Sequence, residues 1–332
     1  MLLWASLYLS WSSCQFELFM AASTVQPPFC IIYNPNAGRG GTSNQWKQIQ
    51  ESLGQTAIFR PTNASGHAME LAQQAAEEGF ATVVAAGGDG TVHEVVNGLL
   101  RSGKSDVTFG VLPLGSGNDY ARLIGVPRDV PGMLARLRSA ETWPVDAGEI
   151  LMDGKLSRFF CNTLGMGIGG AVTWESSRIR WLRGIPLYGL ASLKAIIWHY
   201  RNHQVTMVCD DVPMKTKLIY ACVAIGKEEG GGFRVAPDAK VDDGLFNLMY
   251  VTELSRLGAM VTLPRLVIPG LRNGCKKIQE KLVRSVTLTS ETALPVHADG
   301  EVLATPQQGA RECVVKMLPG RLVLRGTPNR VG

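Results

Sequence analysis

The sequence is poor in the patterns that carry nucleic-acid binding, zinc chemistry and membrane spanning. Charged residues make up 18% of the 332, and 33 Lys and Arg exceed 28 Asp and Glu by only +5. No dense Lys/Arg run and no basic stripe interleaved with aromatics is present. That argues against nucleic acid as a partner and leaves a mild attraction for anionic lipid or phosphorylated molecules. Histidine is scarce, at five, and no zinc-ligand spacing joins it to cysteine. His67 and His93 fall on expected helices, His199 and His203 flank the end of another, and only His297, beside an acidic turn, invites a role in a site. The seven cysteines are scattered and odd in number, which fits small buried apolar residues in a reducing compartment better than a disulfide framework. No apolar run is a good spanning helix. Residues 1–20 come nearest, but Glu17 interrupts them and no basic segment precedes them as in a secretory signal. Residues 1–27 therefore read as a hydrophobic extension, an added packing segment or translation upstream of a start at Met20 before a loosely membrane-associated leader.

What is present is organised around Ala81 to Leu100, ATVVAAGGDGTVHEVVNGLL. An apolar β-branched run, a glycine-rich turn and an apolar pattern of helical period read as strand, turn, helix. Thr91 and Glu94 have capping-box spacing, which predicts the helix start there. Gly87, Gly88 and Gly90 permit close approach of a ligand, and the first helical amides offer donors to anionic oxygen. A carboxylate such as Asp89 repels a phosphate unless a cation or a transferable proton lies between them. The turn thus points to phosphoryl transfer or metal-assisted chemistry, with an ordinary glycine turn and a solvated Asp as the bland alternative.

The same logic recurs on either side. Phe29 to Tyr33 is an apolar run followed by Asn34-Pro-Asn-Ala-Gly-Arg-Gly-Gly41, and Val107 to Leu112 is followed by Pro113-Leu-Gly-Ser-Gly-Asn-Asp119. With helices expected over 43–53 and 65–78, a short strand over 57–59 and a helix starting at Tyr120, residues 28–145 read as an open α/β domain. Its ligand crevice lies at the carboxyl ends of the strands. If the sheet is parallel, the turns at 34–41, 87–91 and 115–119 share one edge. After Pro144 the texture changes to short strands, expected at 156–161, 204–209, 218–225, 245–251, 283–289, 312–317 and 322–324. Residues 146–320 therefore read as a β-rich domain of two packed sheets with helical insertions near 187–200 and 254–268, and 321–332 as a terminal strand and tail. Arg178 to His199 mixes arginines with Trp181, Tyr188 and Trp198, suited either to an anionic bilayer surface or to packing on the sheet. The Gly165-Met-Gly-Ile-Gly-Gly170 stretch is discounted as a dinucleotide fingerprint, because no Rossmann unit follows it.

Taken together, these turns resemble the catalytic domain shared by diacylglycerol kinases, bacterial lipid kinases and sphingosine or ceramide kinases. The resemblance runs from about 28 to 325. It is carried by Asn34-Pro-Asn-Ala-Gly38, by Gly87-Gly-Asp-Gly-Thr91 with Glu94 and Asn97, and by Gly115-Ser-Gly-Asn-Asp119 with Ala121 and Arg122. Val145-Asp146, Asn162 with Gly165 to Gly169, Pro237-Asp238 leading to Asp242-Asp-Gly244, and Asp299-Gly-Glu301 complete it. NAD kinases share the Gly-Gly-Asp-Gly-Thr turn and the two-domain plan, but the first and third turns tip the resemblance to lipid kinases.

The resemblance implies an N-terminal open α/β domain of Rossmann-like, NAD-kinase/diacylglycerol-kinase type and a C-terminal β-sandwich domain, with ATP in the cleft between them. Asn34, Gly38, Gly88, Asp89, Gly90, Thr91, Ser116 and Asn118 would hold the nucleotide. Asp299 is the expected base, supported also by an Asp-Gly-Glu turn that can aim a carboxylate into a cleft, with Glu301 orienting it or sharing a metal. Asp89, Asp119 and Asp146 are the expected partners of catalytic Mg²⁺, since converging carboxylates beside a phosphate need a cation. Asp243 would hold a structural Mg²⁺ or cap a turn. The expected acceptor is a lipid hydroxyl at a membrane surface, diacylglycerol before other acylglycerols, polyprenols or sphingoid bases. Peripheral contact with the inner face of the membrane from a cytoplasmic position follows, and a homodimer is left open. The rival classes are an NAD kinase acting on a soluble substrate and a non-catalytic nucleotide or lipid sensor. The latter would be expected to have lost the carboxylates kept here.

Overall fold

The computed structural model describes residues 29–40, 42–179, 181–182, 184–230, 233–266 and 274–326. The extension 1–27, Gly41, Arg180, Arg183, the last two residues of the helix expected over 254–268 and the tail from 327 lie outside them. So do the side chains of Arg39 and Ile185.

The N-terminal part alternates strand and helix. β1 (Phe29–Tyr33), α1 (Ser43–Leu53), β2 (Ala57–Pro61), α2 (His67–Glu77), β3 (Thr82–Gly87), α3 (Asp89–Ser102) and β4 (Thr108–Pro113) follow in order, then α4 (Asp119–Leu123) and α5 (Val130–Arg138). The strands lie β2-β1-β3-β4, all parallel. β3 is buried along its whole length, as a central parallel strand covered on both faces requires. The condition set on the three turns is therefore met: all leave the carboxyl edge of one parallel sheet. α3 ends where Gly103 adopts left-handed φ 71°, and α5 begins on Asp129, whose side chain accepts from the Gly132 amide.

The remainder is β-rich. β5 (Thr142–Met152), β6 (Leu156–Phe160) and β7 (Thr163–Gly167) lead into α6 (Ile168–Arg178) and α7 (Gly184–Trp198). β8 (His203–Cys209), β9 (Val212–Ala224) and β10 (Phe246–Thr252) precede α8 (Arg256–Thr262). Then come β11 (Ile278–Val283), β12 (Ser285–Leu294), β13 (Val296–Ala298), β14 (Glu301–Ala304) and β15 (Ala310–Arg325). The expected separate strands 312–317 and 322–324 are one strand with a register shift, because Pro319-Gly320 bends β15 without ending it. Its last residues matter most. Val323 and Leu324 pair in parallel with Thr108 and Phe109 of β4, while the body of β15 pairs antiparallel with β5 and β12. The C-terminal strand thus stitches both parts into one hydrogen-bonded network and one continuous apolar core. α6 was not expected from the sequence: its start is the glycine-rich stretch 165–170, where the strand β7 hands over to helix.

Candidate active site

The three turns of the parallel sheet touch one another through glycine. The Leu114 and Gly115 amides both donate to the Gly87 carbonyl, at 2.9 and 3.1 Å. A Cβ on Gly115 would lie 2.3 Å from Cα of Gly88, and one on Gly38, whose φ is 62°, would lie 2.8 Å from the Leu114 carbonyl oxygen. The Asn34 amide donates to Ala86 at 3.1 Å. Side chains could not be added here without forcing the turns apart, so these positions are glycine for close approach. Several expected ligand side chains are used by the turns themselves. Asn34 Oδ1 accepts from the Asn36 amide at 2.9 Å. Asn118 Oδ1 accepts from the Gly115 amide at 3.0 Å and its Nδ2 donates to the Gly115 carbonyl at 2.8 Å. Ser116 is exposed and Thr91 is buried inside α3.

The expected capping box is not formed. The helix already starts at Asp89, with Gly88 as its cap, so Thr91 lies within the first turn. Glu94 instead accepts from the Gly66 and Ala68 amides at 2.7 and 3.0 Å and so caps α2. Sequence spacing cannot tell a local cap from one lent to a neighbouring helix.

Asp89 faces the third turn. Its Oδ1 accepts from the Tyr120 amide at 3.2 Å, and a Cβ on Gly117 would lie 2.6 Å from its Oδ2. Desolvation first, and then the charge of Asp119, raise its pKa to about 6, against the pull of the backbone amides of Tyr120, Asn118 and Asp119. Asp119 is ion-paired with Arg122, whose guanidinium also holds the Gly117 carbonyl. Two neighbouring carboxylates at the mouth of a phosphate-shaped backbone cradle form a donor set suited to a hard divalent cation that shares its remaining positions with phosphate oxygens.

Asp299 arrives from the other part of the molecule, in left-handed conformation at φ 51°. Its Oδ1 accepts from the Asn162 and Thr163 amides at 2.9 and 3.1 Å, and its Oδ2 from the Cys161 amide at 3.1 Å and from His93 Nδ1 at 3.0 Å. His93 is held in turn by Asn97, whose Nδ2 approaches His93 Nε2 at 3.3 Å. The Asn97 side chain also exchanges two 2.9 Å bonds with the backbone of Phe159 in β6. Asp89, His93 and Asn97 lie at i, i+4, i+8 on one face of α3. That spacing was legible, but the scarcity of histidine drew attention away from His93. Glu301 completes the site from β14: a Cβ on Gly90 would lie 2.6 Å from its Oε1. Glu301 is exposed as a residue at the cleft mouth, yet its carboxyl group sits where neighbouring groups displace its water. Its pKa is raised, by desolvation first and by Glu94 and Asp299, against the opposing effect of His93.

Asp89, Asp119, Asp299 and Glu301 thus line one cleft, of about 1090 Å³ including its open mouth. Asp146 does not join them. Its carboxylate accepts from the Gly244 and Gly320 amides at 2.7 and 2.8 Å, pinning β5 to the turn after Asp242-Asp243 and to the bend in β15. Burial, together with the charges of Asp243 and Asp242, raises its pKa against those two bonds. The expectation of Asp146 at a catalytic metal is corrected on that ground. Asp243 Oδ1 accepts from the Leu245 amide at 3.0 Å, the capped-turn geometry. Among the described residues no group of three or more His, Cys, Asp or Glu is gathered as a ready metal cage.

Comparison with known proteins agrees with this architecture. The diacylglycerol kinase catalytic domain family matches residues 28–150, and the YegS C-terminal NAD kinase beta sandwich-like domain matches 162–325. A Chromohalobacter salexigens protein named "Probable lipid kinase YegS-like" is 34% identical over 272 residues, 79% of this chain and 84% of its own length. A Bacillus subtilis diacylglycerol kinase is 28% identical over 276 residues, 82% of this chain and 88% of its own. A crystal structure of a diacylglycerol kinase from Bacillus anthracis superposes with a TM-score of 0.67 at 21% identity, covering 93% of this chain and all of that one, and speaks to the fold alone. The chain is a kinase with an N-terminal α/β catalytic domain and a C-terminal β-sandwich-like domain. It belongs to the diacylglycerol-kinase-like lipid kinase family.

Proposed function

We propose that the protein transfers the γ-phosphoryl group of ATP to the free hydroxyl of diacylglycerol at a membrane surface, giving phosphatidic acid. The observation that carries the reading is the meeting, in one cleft, of the Asp89 turn of the parallel sheet with the Asp299-Gly-Glu301 turn of the β-rich part, with an apolar chamber behind them.

The backbone cradle at 87–90 and 114–117 receives the phosphates, with the amides at the start of α3 aimed at them. Asp89 and Asp119 would hold Mg²⁺, which supplies charge neutralisation for the phosphoryl oxygens. We assign the proton of the attacking hydroxyl to Glu301 rather than to Asp299. Asp299 Oδ1 already takes two donors and Oδ2 takes the Cys161 amide, His93 and the Cys161 thiol, so no lone pair is left for a proton. Among the described residues no such bonds hold Glu301, and its raised pKa makes it the better acceptor. As the lipid oxygen bonds to the γ-phosphorus, its proton passes to Glu301 and the bond to the departing ADP oxygen breaks. Asp299 acts as the anchor that aligns α3, through His93, with the strand that carries Glu301.

Two helices support contact with a bilayer. Along α7 the exposed positions Pro186, Gly189, Leu193 and Ile197 carry no charge, and the helix's single cation, Lys194, is turned to buried Glu175 together with His199. On α8, Leu257 and Val261 are 75% and 60% exposed at i, i+4 spacing. The other sides of these elements, Tyr188 and Ser192 on α7 and Leu263 and Leu266 just after α8, line the apolar end of the cleft. A lipid could therefore pass from the bilayer to the acidic turns without crossing water. Among the described residues no helix is long and apolar enough to cross a membrane, so the surface would lie on the bilayer, at the face in contact with the ATP pool.

The test is transfer of labelled γ-phosphate from ATP to dioleoylglycerol in anionic vesicles, with NAD as the soluble competitor and with Mg²⁺ present or chelated. Labelled phosphatidic acid formed only with the metal is expected; label on NAD and none on lipid overturns the reading.

A further inference from the structure

The chamber behind the acidic turns has a polar floor that phosphoryl transfer does not use. Thr163, Gly165 and Gly167 share one face of β7, and the flanking strands set His297 opposite Gly165 and Tyr220 opposite Gly167. Glycine at 165 admits the imidazole, because a Cβ there would lie 2.1 Å from His297 Nε2. Glu229 joins the two strands: its Oε1 accepts the Tyr220 hydroxyl at 2.7 Å and its Oε2 lies 3.7 Å from His297 Nε2. The His297 side chain is 3% exposed. His297 Nδ1, Thr163 Oγ1 and Glu229 Oε2 are nevertheless without a hydrogen-bond partner among the described residues. All three residues line the cleft that holds Asp89 and Glu301.

A buried polar atom without a partner costs about 1–3 kcal/mol, so His297 Nδ1 and Thr163 Oγ1, which line one chamber, call for a ligand that brings oxygen to them. We propose, resting on the lipid-kinase reading above, that this floor is the acceptor-recognition subsite. His297 Nδ1 and Thr163 Oγ1 hold the oxygen substituent on the carbon beside the reacting hydroxyl, as an acylglycerol presents it, while the acyl chains continue along the apolar walls. A proton on His297 Nε2 would face the Glu229 carboxylate, 3.7 Å away, and would leave Nδ1 to the ligand. That nitrogen accepts from a hydroxyl when the ring is neutral and donates to an ester carbonyl when it is protonated, so the subsite reads a neighbouring oxygen in either form. A plain long-chain alcohol has none and leaves these atoms unpaired, which is the kind of difference a hydrogen-bonding site discriminates strongly.

The experiment measures kcat/KM of the full chain with ATP and Mg²⁺ on micellar dioleoylglycerol, monooleoylglycerol and oleyl alcohol. It uses the unaltered protein and His297→Leu, His297→Asn and Thr163→Val, each checked for an unchanged melting curve. The unaltered protein is expected to prefer the acylglycerols about tenfold or more. His297→Leu and Thr163→Val should shrink that preference about fivefold, through KM more than kcat. His297→Asn, whose amide reaches the position of Nδ1, should retain most of it. A loss confined to monooleoylglycerol or to dioleoylglycerol identifies the hydroxyl or the carbonyl as the oxygen held. An unchanged preference in both His297→Leu and Thr163→Val overturns the subsite, and so does equal use of all three acceptors by the unaltered protein. Failure to phosphorylate any of the three, with label passing to NAD, removes the lipid-kinase reading and the subsite together.

Discussion

Two acidic turns meet in the cleft, and they are built in opposite ways. At the Asp299 turn every carboxylate lone pair is occupied, by three backbone amides and His93. At the Asp89 turn the backbone amides of Tyr120, Asn118 and Asp119 also approach the side chain, but among the described residues no cationic or imidazole partner joins them, Asp119 is a like-charged neighbour, and burial lifts the pKa to about 6. The first is a joint and the second is a socket. A carboxylate that fastens a turn is best satisfied by the fold itself, whereas one proposed to grip a cation is expected to carry uncompensated charge when the cation is absent.

The comparison is broken most severely at the joint. Asp299→Asn turns an amide N–H toward groups that donate to the carboxylate, and should cost about 3 kcal/mol or more of stability in urea unfolding, with turnover lost alongside. A variant as stable as the parent would mean that neither the three amide bonds within the β-rich part nor the one bond to His93 across the halves holds the turn. Glu301→Gln, two residues away, should behave differently: a fall of about 10²–10⁴ in kcat with an unaltered unfolding midpoint. Because the Glu301 pKa is raised and the base must be ionised, kcat of the parent should decline on the acid side at a higher pH than an ordinary carboxylate would give. Loss of that acid limb without loss of rate in Glu301→Gln would move the proton acceptor elsewhere.

The smallest effect belongs to the socket, and its sign is the informative part. A folded pKa of about 6 against an ordinary 3.8 means that the folded protein favours protonated Asp89. Its favourable contribution is complete below about pH 4 and fades as pH rises through 6. Asp89→Asn removes the charge that must be buried at neutral pH, so the metal-free variant should be about 1–3 kcal/mol more stable than the parent at pH 7.5, with the gain vanishing below pH 4. The same substitution should abolish the Mg²⁺ dependence of ATP binding, measured by calorimetry. A variant destabilised at neutral pH would put Asp89 among the joints.

Much of this could be read in the chain. The run Thr82 to Gly87 followed by Asp89 announces a buried parallel strand and a phosphate turn, because burial on both faces needs an unbroken apolar run and close approach needs glycine. The likeness among the turns at 34, 87 and 115 announced a shared edge. By contrast, α6 hid behind a glycine-rich start whose residues make room for the His297 and Tyr220 rings. The bend at Pro319-Gly320 disguised one strand as two. Asp146 has the same local look as the cleft acids and only its distant partners, Gly244 and Gly320, reveal a structural use.

The sequence by itself determined the kinase family, the parallel sheet and the set of acids from which the site is drawn, since these depend on local spacing and on backbone requirements that only certain residues meet. How each acid is partnered, and so which role is proposed for it, was decided by tertiary structure alone. Those roles rest on donors contributed from residues 93 and 161–163 to a carboxylate at 299, and hydrogen bonds across such separations leave no periodic trace in the chain.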